Sequence, residues 1–186
     1  MPTLFTVGHS TRSFDEFVQL LQAHNVQGVA DVRRFPGSKR LPQFNAEHLS
    51  TELPRRGLLY EPCPLLGGRR KPNPDSINLA WRNASFRAYA DYMQTPEFAD
   101  GLALLMASAE RRPMAMMCAE AVPWRCHRSL VADALWARGV EVQHLSSATR
   151  SEPHRLTAFA RVHGTQVLYP GSPDEARLVP ESGAHA

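Results

Sequence analysis

A short segment in the second half of the chain concentrates the residue types that most often carry out chemistry in proteins. Cys118 and Glu120 follow the apolar run Met114–Met117, and the tetrapeptide Arg125-Cys126-His127-Arg128 comes soon after. Thiols, carboxylates and imidazoles serve as nucleophiles and acid-base groups, and arginines bind anions. The apolar run predicts a buried strand, and the apolar residues after Arg128 recur at helical spacing. The segment therefore predicts a strand-to-helix turn, which in open α/β sheets lies in the ligand-binding crevice.

The cations of this segment favour an anionic partner. Arg125, His127 and Arg128 stand at the predicted amino terminus of a helix, where the helix dipole disfavours each positive charge by about 0.3–1 kcal/mol. Either Glu120 offsets them through an internal ion pair, or a bound phosphate or carboxylate does. The sequence leaves both alternatives open.

Cys118 has two further interpretations, as a nucleophile and as a metal ligand. A helix amino terminus and two arginines would stabilise its thiolate. However, the spacing to Arg125 and the intervening Pro123-Trp124 differ from the phosphate-cradling loops of cysteine phosphatases. A zinc site could use Cys118, Cys126 and His127, with His9 from another strand, although no CxxC or HxxxH spacing supports it. Zinc binding therefore stays an alternative, and no metal is assigned.

Two other predicted strands also end in polar residues. Gly8-His9-Ser10 follows the first strand, and Asp31 ends the second beside Arg33. A hydrogen-bonded turn histidine and a local ion pair would explain these residues without any function. If the three strands are neighbours, His9, Asp31 and Glu120 converge on one crevice as acid or base groups.

Hydrophobic periodicity predicts the elements that must position these residues. Strands are predicted at 4–7, 29–32, 58–60, 114–118, 140–145 and 166–168. Helices are predicted from the Ser13/Glu16 capping box to about residue 24, over 46–53, around 86–93, from the Thr95 cap with Pro96 at its first position, after Arg125, and over 156–162.

This order of elements predicts a fold. Strand-helix-strand units imply parallel strands with right-handed crossovers, and the Pro- and Gly-rich stretches 33–44 and 61–83 predict long irregular loops. We expect one α/β domain over residues 1–169, with a mostly parallel, Rossmann-like sheet flanked by helices. Residues 170–186 are polar and proline-rich and predict a disordered tail.

Composition narrows the function classes. The 186 residues are 43% hydrophobic, which suits a single core. Three cysteines and an amino terminus without signal-peptide features predict a reduced, cytoplasmic setting. No apolar run approaches the length of about 20 residues that a membrane span needs, so no membrane partner is expected.

The charge distribution supports an alternative function. The net charge is +3, but residues 31–71 contain nine Lys or Arg against four Asp or Glu. These basic loops could track a phosphate backbone while aromatic side chains stack on bases, the candidates being Phe35, Phe44, Tyr60 and Trp81. A non-catalytic nucleic-acid-binding module using loops 33–71 is therefore the competing prediction, and a solvated basic face is its simpler explanation.

Taken together, the motifs resemble a known family. They are Gly8-His9-Ser10, Asp31-Val32-Arg33 with Pro36 and Ser38, Leu66-Gly67-Gly68, and Cys118-Ala119-Glu120 with Cys126-His127-Arg128. In order and spacing they resemble the bacterial domain-of-unknown-function family 488. The resemblance implies a compact α/β protein in which these motifs share a pocket, and it implies no particular reaction.

The sequence thus predicts a cationic cleft at the strand ends that binds a phosphate-containing small molecule or nucleic acid. The candidate catalytic residues are His9, Asp31, Cys118 and Glu120. The candidate ligand-binding residues are Gly8, Ser10, Arg33, Ser38, Gly67, Gly68, Arg125, His127 and Arg128. The sequence assigns no cofactor and no oligomeric state.

Overall fold

The computed structural model describes residues 3–171. Its strands are β1 (Thr3–Gly8), β2 (Gly28–Asp31), β3 (Leu59–Pro62), β4 (Met114–Cys118), β5 (Glu141–Ser147), β6 (Arg150–Pro153), β7 (Arg161–His163) and β8 (Gln166–Leu168). Its helices are α1 (Phe14–Ala23), α2 (Ala46–Arg55), α3 (Ala84–Tyr92), α4 (Pro96–Arg111) and α5 (Arg128–Trp136). Within the described range, no helix is long and apolar enough to cross a membrane. The tail predicted at 170–186 lies almost entirely outside the described residues.

The central sheet has the strand order β3-β2-β4-β1-β5-β6. The first five strands are mutually parallel, and β6 pairs antiparallel with β5 at the edge. Strand β4 follows β1 and β2 in the chain but lies between them. In its register, Gly8 is opposite Cys118 and Asp31 is opposite Met117. The carboxyl ends of three neighbouring strands therefore meet at one place.

Helices cover both faces of this sheet, so that β4 is buried on both sides. Met114 and Met116 belong to a core formed with α3, α4 and α5, whereas Ala115 and Met117 belong to a second core formed with α1 and α2. Parallel strands covered on both faces have continuous rather than alternating hydrophobic sequences. The predicted α/β class with a mostly parallel, Rossmann-like sheet is confirmed.

Local signals placed the helix starts correctly. The Ser13 hydroxyl accepts from the Glu16 amide (3.1 Å), and the Glu16 carboxylate accepts from the Ser13 amide (2.7 Å). Thr95 caps α4, with Pro96 at its first position. These caps satisfy amide groups that a helix leaves without intrahelical partners.

The prediction of a helix over 156–162 is wrong, and strand β6 was not predicted. Residues 161–168 form the β7–β8 hairpin, with Gly164 at a positive φ of 61° in its turn. The Thr157 amide donates to the buried Asp133 carboxylate (3.0 Å), which holds this segment against α5. A long-range contact and a glycine turn therefore override a weak helical periodicity.

Candidate functional site

The site begins where β1, β2 and β4 end. The His9 amide donates to the Cys118 carbonyl (2.9 Å), the Ser10 amide to the Ala119 carbonyl (3.0 Å), and the Val32 amide to the Met117 carbonyl (3.1 Å). These bonds extend the strand pairing by one or two residues and fix the three following turns side by side. The crevice expected at the strand ends of a parallel sheet therefore forms here.

A cavity of about 600 Å³ opens at this crevice. Its lining includes His9, Ser10, Thr11, Gly68, Arg69, Ser85, Phe86, Tyr89, Cys118, Glu120, Arg125, Cys126 and His127. A second cavity of about 310 Å³ adjoins it, lined partly by the same residues and partly by the loop from Arg33 to Gly37. The sequence-predicted motifs around His9, Gly68 and Cys118 thus share one cleft.

Glycine is required at Gly8 and is tightly confined at Gly68. A Cβ at Gly8 would overlap the carbonyl oxygen of Glu120, so only glycine lets the turn after β4 cross the end of β1. A Cβ at Gly68 would lie 3.0 Å from His127 Nδ1. The neighbouring Gly67 packs on the backbone of Arg34 instead. A Cβ at Gly67 would lie 3.0 Å from the Arg34 Cα.

Asp31 and Arg33 form a buried ion pair. The Asp31 carboxylate accepts from Arg33 Nε (2.8 Å), from Arg33 NH2 (2.6 Å) and from the Tyr60 hydroxyl (2.8 Å). Arg33 NH2 also donates to the Phe44 carbonyl (2.7 Å). Burial raises the pKa of Tyr60, and the Asp31 charge raises it further. Both predicted site residues are thus engaged within the framework beside the cleft.

His9 lies between this ion pair and the cleft. Its Nε2 is 3.3 Å from Arg33 NH1, and its Nδ1 is 2.8 Å from the Ser10 carbonyl oxygen. Because a guanidinium only donates and a carbonyl only accepts, Nδ1 carries the proton and Nε2 accepts. Burial lowers the pKa of His9, and the ring stacks on Phe44 with centroids 4.2 Å apart. The structure therefore favours a neutral, oriented imidazole.

Cys118, Cys126 and His127 form a cluster in the cavity lining. Their two sulfur atoms and one ring nitrogen all lie within 4.8 Å of one another, and these are the described residues that could hold a metal. The close approach of the two thiols raises the pKa of Cys118 and lowers that of Cys126, and burial also raises the pKa of Cys118. Cys126 therefore takes the thiolate form more readily. The positive charge of Arg128 adds to this effect on Cys126.

Arg128 is directed into the protein. Its side chain is fully buried, NH2 donates to the Glu120 carbonyl oxygen, and NH1 donates to the Thr6 hydroxyl (3.2 Å). Within residues 3–171 it forms no ion pair, and its Nε has no hydrogen-bond partner. The arginine thus contacts the backbone of Glu120, whereas the exposed Arg125 lines the cavity.

Comparison with known protein families supports the resemblance that these motifs suggest. The model of the family described as domain of unknown function DUF488 matches residues 13–135, about two thirds of the chain. The chain belongs to the DUF488 family. No curated protein and no solved structure matches it.

The DUF488 match contains Asp31, Gly68 and the whole Cys118–Arg128 segment, while Gly8-His9-Ser10 at the end of β1 precedes it. Strand β1 nevertheless pairs along the full length of β4, so the cleft of this DUF488 protein is completed by residues outside the matched range.

Some cleft residues were missed by sequence reasoning, and the predicted residue Ser38 has a local role. Arg69 directly follows the predicted Gly67-Gly68 motif, so its position in the sequence could have indicated that it lines the cleft. Ser85 and Phe86 enter the lining from α3, which no local pattern indicates. Ser38 organises its own loop, because its hydroxyl accepts from the amides of Arg40 (3.2 Å) and Leu41 (3.3 Å).

Proposed function

We propose that the cleft at the ends of β1, β2 and β4 binds a small phosphate-bearing ligand. The observation that carries the proposal is the presence of two arginines, Arg69 and Arg125, in the cavity lining. Among residues 3–171, neither forms an ion pair. Arginine is the preferred partner of phosphate, since its donors match the phosphate oxygens in pairs.

The size and lining of the cleft support a ligand no larger than a nucleotide. Its volume of about 600 Å³, with about 310 Å³ adjoining, falls in the range typical of small-molecule sites. Hydroxyl groups of Ser10, Thr11 and Ser85 can bond phosphate or sugar oxygens. The aromatic side chains of Phe86 and Tyr89 offer apolar surface to the remainder of the ligand.

Two lining residues can move protons if the bound ligand reacts. Glu120 and His9 both line the cavity, and His9 can accept a proton at Nε2 once that atom gives up its 3.3 Å contact with Arg33. Asp31 is a weaker candidate, because both of its oxygens already accept strong hydrogen bonds. Once an activity is found, Glu120→Gln should reduce it strongly, and full activity in that variant would remove Glu120 from the mechanism.

Binding can be tested with inorganic pyrophosphate and adenosine monophosphate as probes in isothermal titration calorimetry. We expect Arg69→Ala and Arg125→Ala each to weaken binding by about tenfold or more, because each removes a charge-assisted contact. Arg55→Ala is the matched control, since this exposed arginine pairs with Glu52 on α2, outside the cleft lining. Absence of binding to the wild-type protein, or unchanged binding in the double variant, would refute the proposal.

A second candidate function is binding of single-stranded nucleic acid by the basic loops. Its specific support is Phe35, which is 65% exposed and has two guanidinium groups nearby, Arg34 at 5.6 Å and Arg69 at 6.0 Å from the ring centroid. An exposed ring close to cations is suited to stacking on a base next to phosphates.

The two candidates differ in their dependence on salt and on Phe35. Nucleic-acid binding should weaken steeply with salt, with a slope near 0.7 per neutralised phosphate, and Phe35→Ala should weaken it by about tenfold. Fluorescence anisotropy with a labelled oligonucleotide measures both effects. Salt-insensitive or absent binding would eliminate this candidate and leave the small-ligand site unaffected.

A further inference from the structure

We propose that Cys118, Cys126 and His127 form a zinc site whose fourth coordination position opens into the cleft. The ligands are Cys118 Sγ, Cys126 Sγ and His127 Nδ1. Two thiolates and one imidazole form a donor set that favours zinc among the common divalent metals. Metal binding at these residues does not depend on phosphate binding.

The spacing of the three donor atoms fits tetrahedral coordination. With zinc–sulfur bonds of about 2.3 Å, neighbouring ligand atoms in a tetrahedron lie about 3.5 to 3.8 Å apart. Cys126 Sγ lies 3.7 Å from His127 Nδ1, and all three donor atoms fall within 4.8 Å of one another. A metal ion therefore needs only small side-chain rotations to reach all three.

His127 is in the ring form that a metal ligand requires. Its Nε2 lies 2.9 Å from the Val32 carbonyl oxygen. Because a carbonyl oxygen only accepts, Nε2 carries the proton and the lone pair of Nδ1 faces the cysteines. Zinc-binding histidines characteristically donate their second ring N–H to a carbonyl or carboxylate, which fixes the ring orientation.

Secondary structure holds the three ligands rigidly. Cys118 is the last residue of β4, and Cys126 and His127 directly precede α5. Tyr89 packs beside the His127 imidazole, with ring centroids 5.0 Å apart. Gly68 has no side chain and therefore leaves space beside His127 Nδ1. The end of β4 and the start of α5 thus bring the three ligands together before any metal binds.

The charges of the site are compatible with a divalent cation. Two thiolates balance the charge of one zinc ion, so the loaded centre is neutral. Arg128 is buried nearby without a carboxylate partner among the described residues, and its charge favours anionic sulfur atoms over neutral thiols.

The fourth position is expected to be open rather than occupied by a protein ligand. Cys118, Cys126 and His127 all line the 600 Å³ cavity, so the unfilled side of the site faces solvent. His9 is not free to close it, because both of its ring nitrogens are engaged, by Ser10 and Arg33. Three protein ligands with one open position characterise catalytic rather than structural zinc sites.

Metal analysis and cobalt substitution test the proposal on the full chain. Protein purified under reducing conditions should contain about one equivalent of zinc. After chelation, added Co²⁺ should produce thiolate charge-transfer absorption together with visible bands typical of tetrahedral cobalt. Cys126→Ser and Cys118→Ser should lose the charge-transfer absorption wholly or in large part. Cys63→Ser, which removes a thiol outside this cluster, should retain it.

Wild-type protein can overturn the proposal by itself. Absence of bound zinc, together with absence of cobalt–thiolate absorption in the fully reduced chain, would refute the site even if the cysteine variants fail to fold. The proposal would also be refuted if Cys118 and Cys126 readily form a disulfide in air and the reduced protein takes up no metal. Visible bands that do not change when azide is added would contradict the open fourth position.

A pair of glycine variants tests the site without removing a ligand. Gly68→Ala places a methyl group 3.0 Å from His127 Nδ1 and should weaken cobalt affinity by about tenfold to a hundredfold. Gly37→Ala is the matched control, since its added methyl group meets no atom within 4 Å. Circular dichroism establishes that both variants fold. Equal cobalt affinity in the two folded variants would show that His127 Nδ1 is not a ligand.

Discussion

At the scale of single residues, charged side chains of the same type have different roles according to their burial. Arg33 and Arg128 are engaged with buried partners, whereas Arg125 is exposed in the cleft lining. Removing a buried charge leaves its partner desolvated, which costs far more than the loss of an exposed contact. The framework arginines should therefore affect stability first, and the cleft arginines should affect ligand binding first.

Asp31→Asn tests the framework role. The carboxylate side chain of Asp31 is 1% exposed and forms a bidentate pair with Arg33, so the variant should lose about 3 to 5 kcal/mol of unfolding free energy. Urea denaturation measures this loss. Glu52→Gln, which breaks an exposed pair with Arg55, should lose less than about 1 kcal/mol. Similar losses in both variants would contradict the assignment.

At the scale of elements, helix packing positions the loop that closes the cleft. A 3₁₀ turn at Pro64–Leu66 precedes Gly67-Gly68 and packs on α4 at Gly101. The hydroxyl groups of Tyr89 and Tyr92 donate to the Leu66 and Leu65 carbonyls, both at 2.7 Å. Helices α3 and α4 therefore hold Gly68 against His127.

Gly101→Ala tests this packing. Glycine to alanine inside a helix ordinarily stabilises it by about 1 kcal/mol. Here the new methyl group would lie 2.8 Å from the Leu65 Cβ, and overpacking costs about 1 to 3 kcal/mol. We expect a net loss of stability in thermal unfolding, together with weaker cobalt binding because Gly68 shifts. A more stable variant would show that the turn adjusts freely.

At the scale of the whole molecule, a hydrogen-bond chain joins the cleft to the far edge of the sheet. Arg128 donates to Thr6, whose hydroxyl lies 2.7 Å from His144 Nδ1. His144 Nε2 lies 3.0 Å from His154 Nδ1, and His154 Nε2 lies 2.8 Å from the buried Asp133 carboxylate. Elements far apart in sequence, β1, β5 and α5, are thereby linked through polar groups.

The hydrogen-bond chain through His144 predicts a loss of stability in mild acid. Burial, with contributions from His154 and Arg128, lowers the pKa of His144 from 6.5 to about 4. Between these values the unfolded chain binds a proton that the folded chain excludes. Stability is therefore greatest above pH 6.5 and should fall by about 2 to 3 kcal/mol as the pH decreases towards 4. The lowered pKa of His9 acts in the same direction.

Variants at two histidines isolate this effect. His144→Asn keeps an acceptor for Thr6 but cannot ionise, so the dependence of its unfolding free energy on pH should be shallower than that of the wild type. His163→Asn changes an exposed histidine of β7 and should leave the dependence unchanged. Equal slopes in the wild type and His144→Asn would show that His144 does not cause the acid sensitivity.

The sequence by itself determined the class of the fold and the position of the cleft at the strand ends. Continuous apolar runs specified buried parallel strands, and the Ser13 and Thr95 caps specified helix starts, because these signals act over a few residues. Polar residues at three strand ends located the cleft, since parallel strands present their carboxyl ends at one edge.

Only the tertiary structure decided which of those residues face the cleft. The insertion of β4 between β1 and β2 brings Gly8 next to Cys118, and no local pattern encodes that order. The direction of Arg128 and the entry of Ser85 from α3 likewise depend on contacts between distant segments. So does the irregular segment that leads into β7, where a helix over 156–162 was predicted. Burial and pairing are properties of the assembled chain, and they separate the arginines of the framework from those of the cleft.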